Sequence, residues 1–156
     1  MASGRGLIRN SQGNWIKGFS RSIGYTTSVM AELWALRDGL HLAIQLGINF
    51  LEVELDVKVI VEVLNNSDCP NMKLSPLLHD CKSLLSRLMQ VQVVHVFREA
   101  NKCADFLARR GCSMREEFVI FDAPPFVDLA NLLVLYVNGW SDLRLVATTL
   151  ASMASL

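Results

Sequence analysis

The chain has 156 residues, of which 51% are hydrophobic and 19% are charged. This balance is typical of a single globular domain with one core, and it excludes an intrinsically disordered chain. Lysine plus arginine and aspartate plus glutamate both total 15. No net charge therefore draws the protein onto nucleic acid or a membrane, and any such binding must come from a local patch.

The sequence shows no export or membrane signal. Met1 to Asn10 contains no apolar segment of signal-peptide length, and no stretch of about 18 uninterrupted apolar residues follows. The four cysteines form no Cys-x-x-Cys pair, and a core of this size does not need disulfides. We therefore expect reduced thiols and an intracellular protein, nuclear or cytoplasmic, without membrane contact.

The front of the chain predicts a hairpin followed by a helix. Gly6 to Asn10 and Trp15 to Ser20 are β-prone runs, and the segment between them is rich in turn-forming residues. Ser28 is suited to cap a helix from Val29 to Leu46, in which leucines recur at helical spacing. Gly47 supplies the stop.

The middle of the chain alternates between strand and helix patterns. Phe50 to Asp56 has period two, which predicts a strand with apolar residues on one face and acids on the other. The later predicted elements are a helix over Lys58 to Leu64, a helix from Pro76 to Met89, a strand from Val91 to Phe97 and a helix over Lys102 to Arg110. The order ββαβααβα predicts an α/β sandwich with a mixed sheet.

A domain boundary is expected near Glu117. Asp122 to Pro125 forces an extended turn, and charged residues are sparse beyond it. We expect residues 4–117 to form the domain and residues 118–156 to form an apolar carboxy-terminal tail. The apolar run Leu129 to Val137 is too short to cross a bilayer, so the tail is predicted to pack against the domain or against a protein partner.

Three acids lie where a sheet-based active site would place them. Glu32 is expected in the first turn of the first long helix, Asp56 at the end of a strand, and Asp105 in the first turn of the last helix. Carboxylates brought together from several elements can hold a hard cation such as Mg²⁺ and leave positions open for substrate. Acids near helix N-termini also complement the helix dipole, so the spacing alone does not separate a metal site from a structural role.

Four sequence blocks resemble the type 1 ribonuclease H domain, in the version found beside retroelement reverse transcriptases in plants. The blocks are Leu7 to Ile16, Ala31 to Leu40, Val53 to Asp56 and His95 to Asp105. They occur in the family's order, and the match extends from Gly4 to Gly111. The resemblance implies a ribonuclease H-like three-layer α/β fold with a mixed β-sheet flanked by helices.

The resemblance also implies an activity and a set of catalytic residues. Members of the family cut the RNA strand of RNA/DNA hybrids, using carboxylates that hold two divalent ions, Mg²⁺ or Mn²⁺. By this resemblance Glu32, Asp56 and Asp105 are catalytic metal ligands. His95 matches the histidine that assists proton transfer near the leaving phosphate.

Two further positions are implied to contact nucleic acid. Asn101 opens an Asn-x-x-x-Asp pattern that ends at Asp105, and Ser28 stands where the family often has asparagines that touch the hybrid. The implied partner is an RNA/DNA hybrid. For His95, the residues alone leave a second interpretation open, namely a strand histidine that fills one face of the sheet.

The chain departs from the family pattern at its start. The family's first strand ends in an aspartate that bridges both ions, whereas no acid precedes Glu32 in this chain. The fold is thus expected to be N-terminally truncated, with weakened ion sites and severely reduced catalysis. The missing strand is expected to leave backbone groups unpaired or a sheet edge exposed. The alternative function is an inactive domain that binds nucleic acid or a protein partner.

Other signals are weaker. Arg5, Arg9, Lys17 and Arg21 on the hairpin are candidates either for phosphate contacts or for an ordinary solvated edge. Trp34, within an apolar helix, is expected in the core rather than as a base-stacking platform. The histidines and cysteines lack ordinary ligand spacing, so a zinc site is not expected.

Overall fold

The structure is a computed structural model that describes residues 2–10, 12, 14–66, 76–97 and 117–125, together with the backbone of residues 143–151. Its elements are β1 (Ala2–Arg9), β2 (Trp15–Gly24), α1 (Ser28–Gln45), β3 (Phe50–Leu55), α2 (Lys58–Asn65), α3 (Pro76–Ser86), β4 (Gln90–His95), β5 (Phe118–Phe121) and β6 (Leu143–Ala151). Within these ranges no helix has the length and apolarity needed to cross a bilayer. The helix predicted over Lys102 to Arg110 lies outside the described residues.

The strands form one mixed sheet with the order β4-β3-β6-β1-β2-β5. β3 is parallel to both of its neighbours, β4 and β6. β1 is antiparallel to β2 and to β6, and β2 is antiparallel to β5. The predicted α/β class with a mixed sheet and helices is therefore confirmed.

The amino-terminal hairpin is longer than predicted. β1 begins at Ala2 and β2 continues to Gly24, because these two residues are themselves paired across the hairpin. The turn is held by Asn10, whose side-chain oxygen accepts from the backbone N–H of Gln12 at 3.0 Å and of Asn14 at 2.8 Å. An Asx-type side chain that bonds to the backbone ahead of it is a common way to fix a tight turn.

The strand β6 occupies the middle of the sheet. It pairs with β1 from Ala2↔Ala151 to Arg9↔Arg144, and with β3 from Leu51↔Leu143 to Leu55↔Ala147. The expectation of unpaired backbone or an exposed edge between the hairpin and β3 is wrong, because β6 fills this position. The segment expected to form a tail thus supplies two strands of the sheet, whereas the run Leu129 to Val137 lies outside the described residues.

The helix α1 starts one residue earlier than predicted. Thr27 has extended backbone angles, φ −76° and ψ 159°, and its side chain accepts from the Met30 N–H at 3.2 Å. Thr27 is therefore the N-cap, and Ser28, which was expected to cap, is the first helical residue. At the other end Gly47 has φ 73°, a left-handed conformation that suits glycine after a helix.

One face of α1 packs on β1 and β6. A Cβ at Gly4 would lie 3.3 Å from both the Ala31 carbonyl and the Ala35 Cβ, so glycine and alanine let the helix approach the strand closely. The core beneath α1 is formed by apolar residues from four elements: Leu33, Leu36 and Leu40 of α1, Leu51, Val53 and Leu55 of β3, Ile60 of α2 and Leu78 of α3. Fully burying such a side chain contributes roughly 1.5–3 kcal/mol.

The later elements end earlier than predicted. α3 stops at Ser86 rather than Met89, since Arg87 and Leu88 donate to carbonyls only three residues back, at 3.1 Å and 3.2 Å. The chain then turns to let the Gln90 N–H reach the Asn49 carbonyl at 3.0 Å, which starts β4 beside β3. β4 closes at His95 rather than at Phe97.

Candidate active site

The carboxyl ends of β3 and β4 meet at one edge of the sheet. Leu55 pairs with His95 in the parallel register, and the Val96 N–H donates to the Leu55 carbonyl at 2.9 Å. Asp56 is the first residue after β3. Two of the predicted site residues, Asp56 and His95, therefore lie on neighbouring strands at the same edge.

The two residues differ in their surroundings. His95 follows Val93, a core residue that is 8% exposed, at a spacing of two, so it extends the core-facing side of β4. The imidazole meets the Phe97 ring edge-on, with centroids 5.3 Å apart and planes at 76°. The position of His95 thus suits a strand histidine that fills one face of the sheet. At the same time, His95 lies at the end of the sheet that carries Asp56.

Glu32 lies deeper in α1 than expected. The helix begins at Ser28 and its first turn contains no acid, which makes Glu32 the fifth helical residue. Its expected place in the first turn is wrong, because Thr27 rather than Ser28 caps the helix. Charge–dipole stabilisation falls off within the first turn, so the dipole does not explain this acid.

The carboxylate of Glu32 is fully buried, with 0% of the residue exposed. Its neighbour Ala31 lies against Gly4 of β1, and Gly4 pairs with Thr149 of β6. Two residues before Thr149, Ala147 of β6 pairs with Leu55 at the end of β3. This part of α1 therefore lies over the same end of the sheet as the carboxyl end of β3. Burying a carboxylate costs several kcal/mol unless partners compensate, so its position is a specific feature of the fold.

The other predicted site residues are placed only in part. Ser28 is exposed at the start of α1. Asn101 and Asp105 lie outside the described residues. In the described part of the chain, no three side chains among histidine, cysteine, aspartate and glutamate form a group that could hold a metal ion. The structure thus brings Asp56 and His95 to one edge and sets Glu32 above that end of the sheet.

The basic residues of the hairpin are mostly engaged within the protein. Arg5 and Arg9 are 2% and 5% exposed, and a guanidinium nitrogen of Arg9 lies 3.7 Å from a carboxylate oxygen of Glu54, across β6. Lys17 pairs with Asp122. The interpretation of these bases as a solvated edge is wrong for Arg5 and Arg9. The uninterrupted apolar run between them is the sequence signal for a strand buried on both faces.

A second cluster, which the sequence analysis missed, joins β2, α1 and β5. Arg21 donates through Nε and Nη2 to the carboxylate of Asp38, the second bond measuring 3.0 Å. The Arg21 guanidinium also lies 5.4 Å from the ring centroid of Trp34 and 4.8 Å from that of Phe118. The guanidinium of Arg37 lies 5.5 Å from the same Trp34 centroid. Trp34 packs against the core, and its ring makes cation–π contacts with Arg21 and Arg37.

Among the described residues, the pKa values of His41 and Cys81 differ from their ordinary values. Burial, followed by the charge of Arg37, lowers the pKa of His41 below its ordinary value of 6.5. Burial raises the pKa of the Cys81 thiol to about 12. The Cys81 thiol lies 3.5 Å from the Leu33 carbonyl, to which it donates, and it stays protonated at neutral pH.

Comparison with known proteins finds relatives that agree with one another in family. A family model described as "Reverse transcriptase-like" matches residues 1–111. An Arabidopsis thaliana protein named as a ribonuclease H protein is 38% identical over 125 residues, which are 80% of this chain and 20% of that protein. The chain thus spans about a fifth of the length of this relative.

A solved structure is similar in fold. It is the amino-terminal ribonuclease H domain of Rv2228c from Mycobacterium tuberculosis, determined as a fusion with maltose-binding protein. The TM-score is 0.51 at 25% sequence identity, over 68% of this chain and 87% of that chain.

The mixed sheet with its helices defines an α/β domain of the ribonuclease H-like class. The chain belongs to the reverse transcriptase-like family. The resemblance identified from the four sequence blocks is therefore confirmed, as is the fold that it implied.

Proposed function

We propose that this domain binds RNA/DNA hybrids at the edge of the sheet that carries Asp56 and His95, and that it hydrolyses the RNA strand with the aid of a divalent ion. The observation that carries the proposal is the parallel register of Leu55 with His95. This register sets a carboxylate and an imidazole on adjacent strands, at the end of the sheet over which Glu32 lies. Ribonuclease H-like domains in general bind such hybrids.

Mg²⁺ or Mn²⁺ is the ion that suits these residues. Asp56 is half-buried and Glu32 is fully buried, and both offer hard carboxylate oxygens. We place Asp105 as the third ligand of this set. When bound, such an ion activates water and stabilises negative charge on a phosphate.

The remaining residues would act on the substrate directly. The imidazole of His95, which meets the Phe97 ring edge-on, would pass a proton to the leaving oxygen as a general acid. Ser28 is exposed one turn before Glu32 and would touch the hybrid backbone. Asn101 would contact the substrate from the segment that leads to Asp105.

The strand β6 is the observation that favours a second candidate function. Its sequence from Leu143 to Ala151 contains no acid, so the central strand of the sheet contributes no carboxylate to the site. A reduced carboxylate set binds divalent ions more weakly. The second candidate is accordingly a catalytically inactive ribonuclease H-like domain that binds nucleic acid or a protein partner.

The two candidates differ in the fate of a labelled RNA/DNA hybrid. The first predicts Mg²⁺-dependent cutting of the RNA strand that is lost in Asp56→Asn and reduced roughly 100-fold or more in His95→Ala. Glu52→Gln removes a charge from the same strand and serves as the matched control, with cutting retained. Hybrid binding without cutting at any Mg²⁺ or Mn²⁺ concentration supports the second candidate. Absence of both binding and cutting contradicts the first candidate and the nucleic-acid-binding form of the second.

A further inference from the structure

Within the described part of the chain, the strand β5 has an open outer edge. It is the last strand on its side of that sheet, with β2 as its neighbour. The Ser22 N–H donates to the Glu117 carbonyl at 2.9 Å. Because hydrogen-bonded pairs alternate along antiparallel strands, the backbone groups of Val119 point toward β2 and those of Phe118 and Ile120 point outward.

The side chains of these two edge residues line a groove. Phe118 and Ile120 pair in register with Arg21 and Phe19, and Phe19 belongs to the core under α1. They therefore face α1, and they remain 36% and 45% exposed. A groove of about 210 Å³ lies between β5 and α1. Leu42 completes its apolar wall together with Phe118 and Ile120.

The polar residues of the lining are mainly basic. They are Arg21, Arg37 and His41, together with Gln45 and with Asp38 as the single carboxylate of the lining. The lining itself therefore carries two guanidiniums and one carboxylate. Arg21 holds Asp38, whereas Arg37 has longer contacts, 3.9 Å to Asp38 and 3.5 Å to a carboxylate of α3 that is 52% exposed. Exposed contacts of this kind hold an arginine weakly, so Arg37 can engage another anion.

We propose that an extended protein segment adds as a strand to the outer edge of β5 and places an acidic side chain, flanked by apolar ones, against Arg37 and His41. In strand addition the main-chain hydrogen bonds supply affinity, and pockets for alternate side chains supply specificity. Every second side chain of an added strand points to the α1 side. One such side chain would meet the apolar residues of the groove, and the next would meet its basic residues.

The shape of the groove favours a peptide over a nucleic acid. The outward backbone groups of β5 match those of another strand, and the apolar residues of the groove suit the side chains of a peptide. The groove also lies away from the proposed hybrid site, since β5 and β4 are at opposite ends of the strand order. The two proposals therefore stand or fall separately.

The test is a titration of the full chain with fluorescent peptides of about eight residues, a common strand length. The binding probe has aspartate and valine in turn at every second position, with serine between them, so that one face of the added strand carries both kinds of side chain. A second peptide replaces each aspartate with lysine, and a third carries N-methyl groups on the amides that would face β5. Fluorescence anisotropy is expected to show binding of the first peptide, with the other two weaker by about tenfold or more. Amide NMR shifts should change at Phe118 and Ile120.

Substitutions in the protein test the same surface. Ile120→Lys and Arg37→Glu are each expected to weaken binding of the aspartate peptide by about tenfold or more. Met89→Lys, at a residue that is 75% exposed near β4, is the matched control and should bind normally. The comparison of the three peptides on the unmodified chain needs no variant, so it remains decisive if a substitution unfolds the protein.

Three outcomes overturn the proposal. The first is equal binding of the aspartate and lysine peptides. The second is no anisotropy change with the aspartate peptide at any concentration reached. The third is displacement of the bound peptide by an RNA/DNA hybrid, with hybrid-induced shifts at Phe118 and Ile120, which would make the groove a nucleic-acid surface.

Discussion

At the scale of single residues, Gly18 controls how β5 is attached to the sheet. The indole of Trp15 lies over Gly18, and a Cβ there would overlap the ring. In this position the indole N–H donates to the Phe121 carbonyl at 3.3 Å. The absence of a side chain at Gly18 therefore allows Trp15 to reach from β2 to β5.

Gly18→Ala is expected to displace the indole and to lower the free energy of unfolding by about 1 kcal/mol, the net value of a typical hydrogen bond. Urea denaturation followed by circular dichroism measures this change. Ser22→Ala, at an exposed position of the same strand, is the control and should change little. A Gly18→Ala variant as stable as the parent chain would show that the indole does not depend on this glycine.

The lowered pKa of His41 predicts a pH dependence of stability. Because the folded state holds the proton less tightly than the unfolded chain, the unfolded chain takes up more protons as the pH falls through the ordinary histidine range near 6.5. His41 therefore contributes a loss of stability below this range and none well above it.

His41→Gln should remove this contribution. Free energies of unfolding measured at about pH 7.5 and about pH 5.5 are expected to differ less in the variant than in the parent chain. His79→Gln, which removes an exposed histidine from α3, is the control. Equal effects from the two substitutions would contradict a specific role of the His41 environment.

Individual residues were predictable where their environment is local. The period-two alternation of Leu51, Val53 and Leu55 correctly placed Asp56 at the end of a strand. The partner of Arg9 was not predictable, since Glu54 lies on the far side of β6. The apolar run before Arg9 signals a buried strand, but it does not identify the carboxylate that the arginine meets.

At the scale of elements, Asn65 protects the edge strand β4. The amides of Gln90 and Val96 bond to the β3 side, so the backbone of Val93 points outward. The side-chain amide of Asn65, at the end of α2, donates to the Val93 carbonyl at 3.0 Å. An edge covered in this way is less open to pairing with another chain.

Asn65→Ala is expected to lower the free energy of unfolding by about 1 kcal/mol and to speed amide hydrogen exchange in β4. Hydrogen exchange followed by NMR, with sedimentation velocity to detect association, tests both effects. Asn66→Ala, at the exposed neighbouring residue, is the matched control. If both variants exchange at the parent rate, the side chain of Asn65 does not protect the edge.

The starts of α2 and α3 were more predictable than the end of α3. α2 starts at Lys58 and α3 at Pro76, as their local patterns indicated. α3 ends early because Gln90 pairs with Asn49, a contact between distant segments that no local pattern reports. The three-residue spacing of the bonds at Arg87 and Leu88 is the consequence of that tertiary contact.

At the scale of the whole molecule, the integrity of the sheet depends on β6. This strand joins the half formed by β1, β2 and β5 to the half formed by β3 and β4. Val146 lies opposite Leu7 on one side and Glu54 on the other. A proline there removes a backbone donor from the centre of the sheet, where proline is not tolerated.

Val146→Pro is therefore expected to cost on the order of 3 kcal/mol or more and to lower the melting temperature or abolish the cooperative transition. Differential scanning calorimetry measures this effect. Val146→Ile keeps the donor and the β-branched shape without adding a polar group, and it should melt well above the proline variant. Retained cooperativity and an unchanged melting temperature in the proline variant would show that the sheet does not need β6.

The architecture was only partly predictable from the sequence, because β6 is far along the chain from the strands that it pairs with. The α/β class and the family follow from motifs within residues 1–111, where neighbours in the sheet are mostly joined by local patterns. β6 has its partners in β1 and β3, whose pairings span most of the chain. Its short alternating pattern resembled a tail because no turn or hairpin signal ties it to either partner.

The central place of β6 also sets the order of events during synthesis. The ribosome makes this strand after every other described element, so the emerging nascent chain holds β1 and β3 with no strand between them. Pairings of such long sequence separation form slowly and leave strand edges open to other chains in the meantime. The sheet can close only when translation has passed Ala151, because β6 pairs with both β1 and β3.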